Sequence, residues 1–385
     1  MKHPSVIELS KSALQKNIKY LKKRVGKSVK FVSVIKGNAY GHGIKEFLPM
    51  AEDCGVDYFA VFDSCEAEIA FKVKKEKTKL MIMGMIADRD IKWAIKNDIS
   101  FFVFEQNRLK QSIKDAKKLG KKAKIHLEVE TGLHRTGFSK EELKKAVKLI
   151  TQNKKHLFID GVCTHYAGAE SVSNYVRIQK QIESFNKTKD WLKTKDIVPK
   201  YYHTACSAAS LVYPETRMDL VRIGIAQYGF WPSEEVRMHA LLSKDEDFEE
   251  RPLKRVLKWK SQIMGIENVE PGEFISYGNF FQATKKTRIA TVPVGYSHGY
   301  RRNLSNLGYV LVKGKKAPVI GMVNMSVMII NITGIPLVKK GDTVVLIGKQ
   351  GKHEITVSSF SELANLVNYE LLTRLPESIP RVVKK

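Results

Sequence analysis

Short apolar runs of strand type alternate with helix-like segments eight times between residues 29 and 224. No other feature of the chain constrains its fold so much. The runs are VKFVSVI (29–35), DYFAVF (57–62), KLMIMG (79–84), SFFVF (100–104), KIHLEVE (124–130), LFIDGVC (157–163), KYYHT (200–204) and MDLVRIG (218–224). Between most of them lie segments with apolar residues at helical spacing, such as EQNRLKQSIKDAKKLG (105–120). Strands that alternate with helices favour a parallel sheet, because each crossover returns over the sheet face. Eight units over about 200 residues match an α/β fold of the (β/α)8 TIM-type barrel. An open doubly wound sheet is the competing arrangement, but no G-x-G-x-x-G follows the first strand.

SVIEL (5–9) reads as a further short strand. Ser10 or Ser12 then caps a helix with Leu14, Ile18, Leu21 and Val25 on one face. Near residue 240 the character changes. LLSKDEDFEERPLKRV is polar and reads as a linker. Beyond it come short β-rich runs with turns, and helical signal returns only at SFSELANLV (359–367). The expected division is a barrel domain over 1–240 and a mostly β domain over 241–385. The first strand, about 1–10, is a candidate member of the β domain.

Composition excludes several classes. No apolar run reaches the roughly 18 residues of a membrane span. The start, MKHPSVIELSKSALQ, lacks the apolar core of a secretory leader, so a cytoplasmic location is expected. Cys54, Cys65, Cys163 and Cys206 form no C-x-x-C and read as free thiols, with no metal site implied. The net charge of +26 raises nucleic-acid binding. The lysines are scattered in clusters such as KVKKEKTK and KKLGKKAK, without interleaved aromatics, so a solvated surface is the better reading. Neither nucleic acid nor membrane is expected as a partner.

A barrel builds its site at the C-terminal ends of its strands. Lys36 ends the first barrel strand in FVSVIKGNAYGHG. Arg135 follows the fifth, His165 the sixth and Ser207 the seventh, and Arg222 lies at the end of the eighth. Ser207 opens a helix, and the Gly224 and Ile225 amides follow a strand; both arrangements suit an anion. A strand-end amine with a separate phosphate anchor suits pyridoxal 5'-phosphate, whose aldehyde condenses with lysine. An arginine at the pyridine nitrogen keeps its own proton, so the ring becomes a weaker electron sink.

VIKGNAYGHG resembles the lysine-bearing signature of alanine racemases, which usually has alanine in place of Gly37. ETGLHRTGF (130–138), THYAGAE (164–170), HTACSAA (203–209) and VRIGIAQYGFWPS (221–233) are similar to further motifs of that family. So are ISYGNFF (275–281), PVGYSHGYRR (293–302), VIGMVNMSVM (319–328) and NYELLTRLPESIPRV (368–382). The resemblance covers nearly the whole chain. It implies that Lys36 carries pyridoxal phosphate, with Tyr40, Ser207, Gly224, Ile225 and Tyr369 on the phosphate. It places Arg135 on the ring hydroxyl and the substrate carboxylate, and Arg222 at the pyridine nitrogen with His165 beside it. Lys36 and Tyr277 are the implied pair of bases. Tyr277 and the Met325 backbone would come from the other subunit of a head-to-tail homodimer. The implied activity is interconversion of L- and D-alanine, with D-alanine serving peptidoglycan synthesis. Two bases on opposite faces remove and return the α-proton without turning the intermediate over. Tyr277 would then need cationic neighbours, and His165 and Arg222 are the expected ones.

The pattern breaks in places. Glu128 stands where relatives carry a carbamylated lysine, and a bidentate pair with Arg135 is expected of it. Ser297 and His298 replace an Ala-Asp pair, Met322 an arginine, Ser326 an aspartate and His134 a small residue. These changes cluster around substrate access and the second-subunit wall, and leave the cofactor motifs intact. Two alternatives follow: a racemase of the same fold acting on another amino acid, such as serine, or a non-catalytic pyridoxal-phosphate carrier. Tyr277 argues against the carrier, which needs no second base.

Overall fold

The computed structural model describes residues 3–242, 252–357 and 368–385. Of the expected helix at 359–367 nothing lies within these residues, and most of the expected linker is also outside them. The chain divides into two compact units. One comprises Ala13–Gly37 and Leu48–Lys254; the other comprises Met1–Ser12, Asn38–Phe47 and Arg255–Lys385.

Strand β1 (Val6–Ser10) belongs to the second unit and is described with it. The first unit holds all eight expected barrel strands. They are β2 (Lys30–Val34), β3 (Tyr58–Val61), β4 (Lys79–Ile82), β5 (Ser100–Val103), β6 (Ala123–Glu128), β7 (Leu157–Cys163), β8 (Tyr201–His203) and β9 (Leu220–Ile223). All pair in parallel, in the order β8-β7-β6-β5-β4-β3-β2-β9. Every residue of β3, β5 and β9 is buried, as expected of parallel strands covered on both faces. Helices intervene as the sequence predicts. The helix Lys140–Gln152 starts with a capping box between Ser139 and Glu142, and Gln106–Leu119 ends on Gly120 with φ +60°.

Among the described residues no regular ladder joins β8 to β9; individual hydrogen bonds, with the Arg222 side chain, tie this seam. The Asp219 N–H donates to the Tyr202 carbonyl at 3.1 Å, and the Asp219 carboxylate accepts from the Tyr202 N–H at 2.7 Å. The Arg222 N–H donates to the Ala205 carbonyl at 3.0 Å.

The second unit is β-rich. Its strands are β10 (Leu257–Gln262), β11 (Gly265–Val269), β12 (Thr287–Val292), β13 (Tyr309–Val312), β14 (Lys315–Pro318), β15 (Met328–Asn331), β16 (Thr343–Gln350), β17 (His353–Ile355) and β18 (Arg381–Lys384). One sheet runs β14-β13-β16-β10-β1-β18, with β17 on β16, and a smaller one runs β11-β12-β15. Trp259 is fully buried against this framework and donates its indole N–H to Ser5 Oγ at 2.8 Å.

The segment after β2 explains the glycines and asparagine that follow Lys36. Lys36–Tyr40 forms one helical turn, but of the left hand. The φ angles are +62° at Gly37, +50° at Asn38, +54° at Ala39, +51° at Tyr40 and +78° at Gly41. Each L-residue so placed costs roughly 1–2 kcal/mol, and only glycine avoids it. The Gly43 N–H donates to the Asn38 carbonyl at 2.9 Å, and Asn38 Oδ1 accepts from the Ile44 N–H at 2.9 Å. At Gly41 a Cβ would lie 1.9 Å from the Leu372 carbonyl oxygen, so no other residue fits. Gly37 thus relieves strain that an alanine would carry. Gly37→Ala should lower stability by about 1 kcal/mol, or about 2–4 °C in Tm. A thermal melt unchanged by this substitution would refute the strain reading.

Candidate active site

The end of β2, two residues before Lys36, is pinned from the chain that follows β9. The Val34 carbonyl accepts from Gln227 Nε2 at 3.0 Å and from the Tyr228 hydroxyl at 2.9 Å. Gln227 Oε1 in turn accepts from Ser33 Oγ at 2.7 Å. Gln227 is fully buried, and motif reading gave it no role although it sits inside VRIGIAQYG. The Lys36 side chain remains solvent-accessible. Partial desolvation and then the Arg135 charge lower its pKa, with a smaller contribution from Arg222. A lysine in such a place is a better nucleophile and base than a solvated one.

Arg222 is 5 % exposed and is held by carbonyls, not by a carboxylate. Its NH1 donates to the His203 carbonyl at 3.0 Å. Its NH2 donates to the carbonyls of Thr164 at 2.8 Å and Thr204 at 3.1 Å. NH1 also lies 2.5 Å from His203 Nδ1, and NH2 lies 3.5 Å from His165 Nδ1. A guanidinium only donates, so it fixes both histidine tautomers. His203 accepts at Nδ1 and keeps its proton on Nε2, which donates to His126 Nδ1 at 2.9 Å. His126 therefore carries its proton on Nε2, beside Ser100 Oγ at 3.1 Å and the Asp160 carboxylate at 3.5 Å. Burial and the Arg222 charge hold His203 well below the usual histidine pKa. Among the described residues nothing accepts from Arg222 Nε, which remains available to a ligand.

His165 is neutral for the same reasons. Burial, then Arg222, Arg135 and Lys36, push its pKa down to about 3. This corrects the expectation that His165 is a cation. Ser207 and Gly224 are brought together: the Gly224 N–H donates to Ser207 Oγ at 2.9 Å. The Gly224 amide is thus committed to the serine, and the serine's own hydroxyl proton is left to donate outward. Ile225 opens the short turn Ile225–Tyr228, whose first amide the turn itself leaves unpaired.

Arg135 lies exposed on the loop after β6. Glu130 organises that loop by accepting the backbone N–H groups of Gly132 and His134. Glu128 does not pair with Arg135, contrary to expectation. It is buried, meets Thr136 through one oxygen and has no partner for Oε2 among the described residues. Burial raises its pKa, opposed by Thr136 and then by Arg222 ahead of Arg135. The expectation failed because the left-handed His134, at φ +58°, belongs to a loop that carries Arg135 out to solvent while Glu128 stays inside β6.

The remaining candidates belong to the second unit. Tyr277 is 72 % exposed and Met325 59 % exposed. Ser276 Oγ donates to the Met322 carbonyl at 2.8 Å, beside Tyr277. Ser297 donates to the Met325 carbonyl twice, from its N–H at 3.0 Å and its Oγ at 2.7 Å. The Met325 N–H is the backbone donor there able to meet a carboxylate. Met322 Sδ accepts from Arg302 Nε at 3.2 Å. Tyr40 sits half-buried on the left-handed turn, and Tyr369 lies in the helix Asn368–Thr373 with its side chain outside the described set. No described helix is long and apolar enough to cross a membrane.

Comparison with known proteins adds to this geometry. Residues 9–232 match the alanine racemase N-terminal domain, and residues 256–383 the C-terminal domain. The chain belongs to the alanine racemase family. An alanine racemase of Leptospira interrogans is 32% identical over 99% of this chain and 96% of its own length. Alanine racemase 1 of Caldanaerobacter subterraneus is 33% identical over 98% of this chain and 94% of its own. The crystal structure of the Bacillus anthracis alanine racemase with bound L-Ala-P superposes with a TM-score of 0.90 at 31% identity, covering 100% of this chain and 96% of that one.

The residues present fit the phosphorylated pyridine cofactor expected of an alanine racemase. Lys36 is accessible with a lowered pKa, Arg222 Nε is uncommitted, and Ser207 presents a hydroxyl beside a turn amide. The neutral histidines give the site a signature. His42 is pushed to about 4 by burial, and His126 and His203 are also lowered. An unfolded histidine titrates near 6.5, so below that pH the unfolded chain takes up protons that the folded one refuses. Stability should therefore fall as pH drops below about 6.5, with net proton uptake on unfolding. Thermal melts across this range measure the slope, and a flat profile would contradict the neutral set.

Proposed function

We propose that this chain interconverts L- and D-alanine with pyridoxal phosphate bound through Lys36. The observation that carries the reading is the buried Arg222, free of any carboxylate among the described residues and with Nε uncommitted. That is the donor a pyridine nitrogen meets when it must not be protonated. Bound, the cofactor supplies an electron sink that acidifies the α-hydrogen of an attached amino acid. Ser207, its hydroxyl oxygen held by the Gly224 amide, and Ile225, with Tyr40 and Tyr369, anchor its phosphate. Arg135 and the Met325 N–H of a second copy hold the substrate carboxylate.

Lys36 moves a proton at the α-carbon on one face, and its lowered pKa suits that task. Tyr277 of a second copy serves the other face, and its exposure on its own subunit supports this assignment. His165 then acts on the tyrosine as a neutral Nε2–H donor, because Arg222 fixes Nδ1 as an acceptor. A phenolate needs such a donor as much as a cation. The working unit is a homodimer, located in the cytoplasm and supplying D-alanine to peptidoglycan synthesis.

Purified protein with L-alanine and pyridoxal phosphate should give D-alanine on chiral chromatography, approaching an equal mixture. Turnover of serine in preference to alanine would move the assignment to another substrate of the same fold. Lys36→Ala should abolish the cofactor's visible absorbance and reduce turnover by at least about 10³-fold; a persisting absorbance overturns the cofactor assignment. Tyr277→Phe should slow loss of the α-proton from L-alanine far more than from D-alanine. Equal losses in solvent-isotope exchange would refute the division between two bases.

A further inference from the structure

At the N-terminal ends of the barrel strands, away from Lys36, lies a cleft of about 440 Å³. Five lysines line it: Lys79 at the start of β4, Lys121, Lys122 and Lys124 around the start of β6, and Lys200 just before β8. Only two carboxylates face them, Asp98 and Asp160. Asp98 is committed to Lys124. Asp160 is buried and committed to His126 and the Tyr58 hydroxyl. Lys79, Lys121, Lys122 and Lys200 have no ion-pair partner among the described residues.

Two details separate this cluster from an ordinary solvated lysine surface. Lys79 and Lys200 both line the cleft, and the Lys200 charge acts on Lys79. Desolvation, then the Lys200 charge, lowers the pKa of Lys79. The cleft also has an apolar side, made by Leu80, Ile95 and Phe158, and Phe158 is 38 % exposed. A concave site with an excess of one sign of charge focuses its field, and lysines act on phosphates as point charges. The volume falls within the range of small-molecule sites, about 300–1,000 Å³.

We infer that this cleft binds an organic polyphosphate, with its phosphates on Lys79, Lys200, Lys121 and Lys122 and its apolar part against Phe158. Phosphates bound there offset the positive charge that Lys200 places on Lys79. The site is independent of the proposed racemisation, since none of its lysines is placed in that machinery.

The test uses holoenzyme titrated by calorimetry with ATP, with tripolyphosphate and with a single-stranded oligonucleotide, at about 50 and about 300 mM salt. ATP should bind saturably, one per chain, and more weakly at the higher salt. The double variant Lys79→Gln/Lys200→Gln should weaken ATP at least about tenfold, while D-alanine formation and the cofactor's visible absorbance stay unchanged. Phe158→Ala should weaken ATP and spare tripolyphosphate. No saturable binding of either phosphate probe, or binding indifferent to the lysine variants, overturns the site. Equal affinity for ATP and tripolyphosphate, unmoved by Phe158→Ala, overturns the organic assignment in favour of inorganic polyphosphate. Preferential oligonucleotide binding that covers more than one chain assigns the lysines to nucleic acid instead.

Discussion

The Arg222 guanidinium organises the barrel unit. A charge so buried is costly unless hydrogen bonds replace its water. Here the carbonyls of Thr164, His203 and Thr204 do so. These residues lie at the ends of β7 and β8, and Arg222 itself is on β9. The side chain therefore crosses the seam where β8 and β9 lack a ladder. One residue both closes the sheet and leaves a donor uncommitted at its mouth. A lysine there would supply three donors on a flexible stem and could not hold this planar set.

Arg222 also dictates protonation around it. It forces Nδ1 of His203 and of His165 to accept, and its charge helps keep both neutral. Neutral histidines transmit direction without adding charge. The chain from Arg222 through His203 and His126 runs one way, each ring accepting on one nitrogen and donating from the other, until it meets Asp160. His126 lies 3.5 Å from Asp160, yet burial lowers its pKa, so this contact is a hydrogen bond to a carboxylate and not an ion pair of two formed charges.

The architecture was legible because a parallel barrel needs short apolar runs at regular spacing, and all eight were visible. The strand-end positions of Lys36, Arg135, His165, Ser207 and Arg222 followed from that count. What stayed hidden depends on relations between distant segments. The left-handed turn after Lys36 left a trace in its glycines, but three successive non-glycine residues at positive φ have no sequence signal of their own. Gln227 reads as an ordinary polar residue until β2 is seen to end against it. Glu128 and Arg135 are seven residues apart, near enough to suggest a pair. The backbone between them carries one into the strand and the other into solvent. The charge of His165 was misjudged because its isolated pKa says nothing of three cations nearby.

The departures from the family pattern acquire different weights in this light. Ser297 holds the Met325 carbonyl through two donors, so the loop that would meet a substrate carboxylate is fixed locally. Met322 is occupied as an acceptor for Arg302 and Ser305, a role an arginine could not play. These residues substitute one local network for another, and the backbone they support keeps its donors. Glu128 is the harder case. Its carboxyl is buried with one oxygen unpaired, and its leading cationic influence is Arg222. Burial favours its neutral form, and the Arg222 charge opposes that. Glu128 therefore belongs to the Arg222 end of the site and not to the Arg135 loop, and the pairing suggested by its position in the sequence fails for that reason.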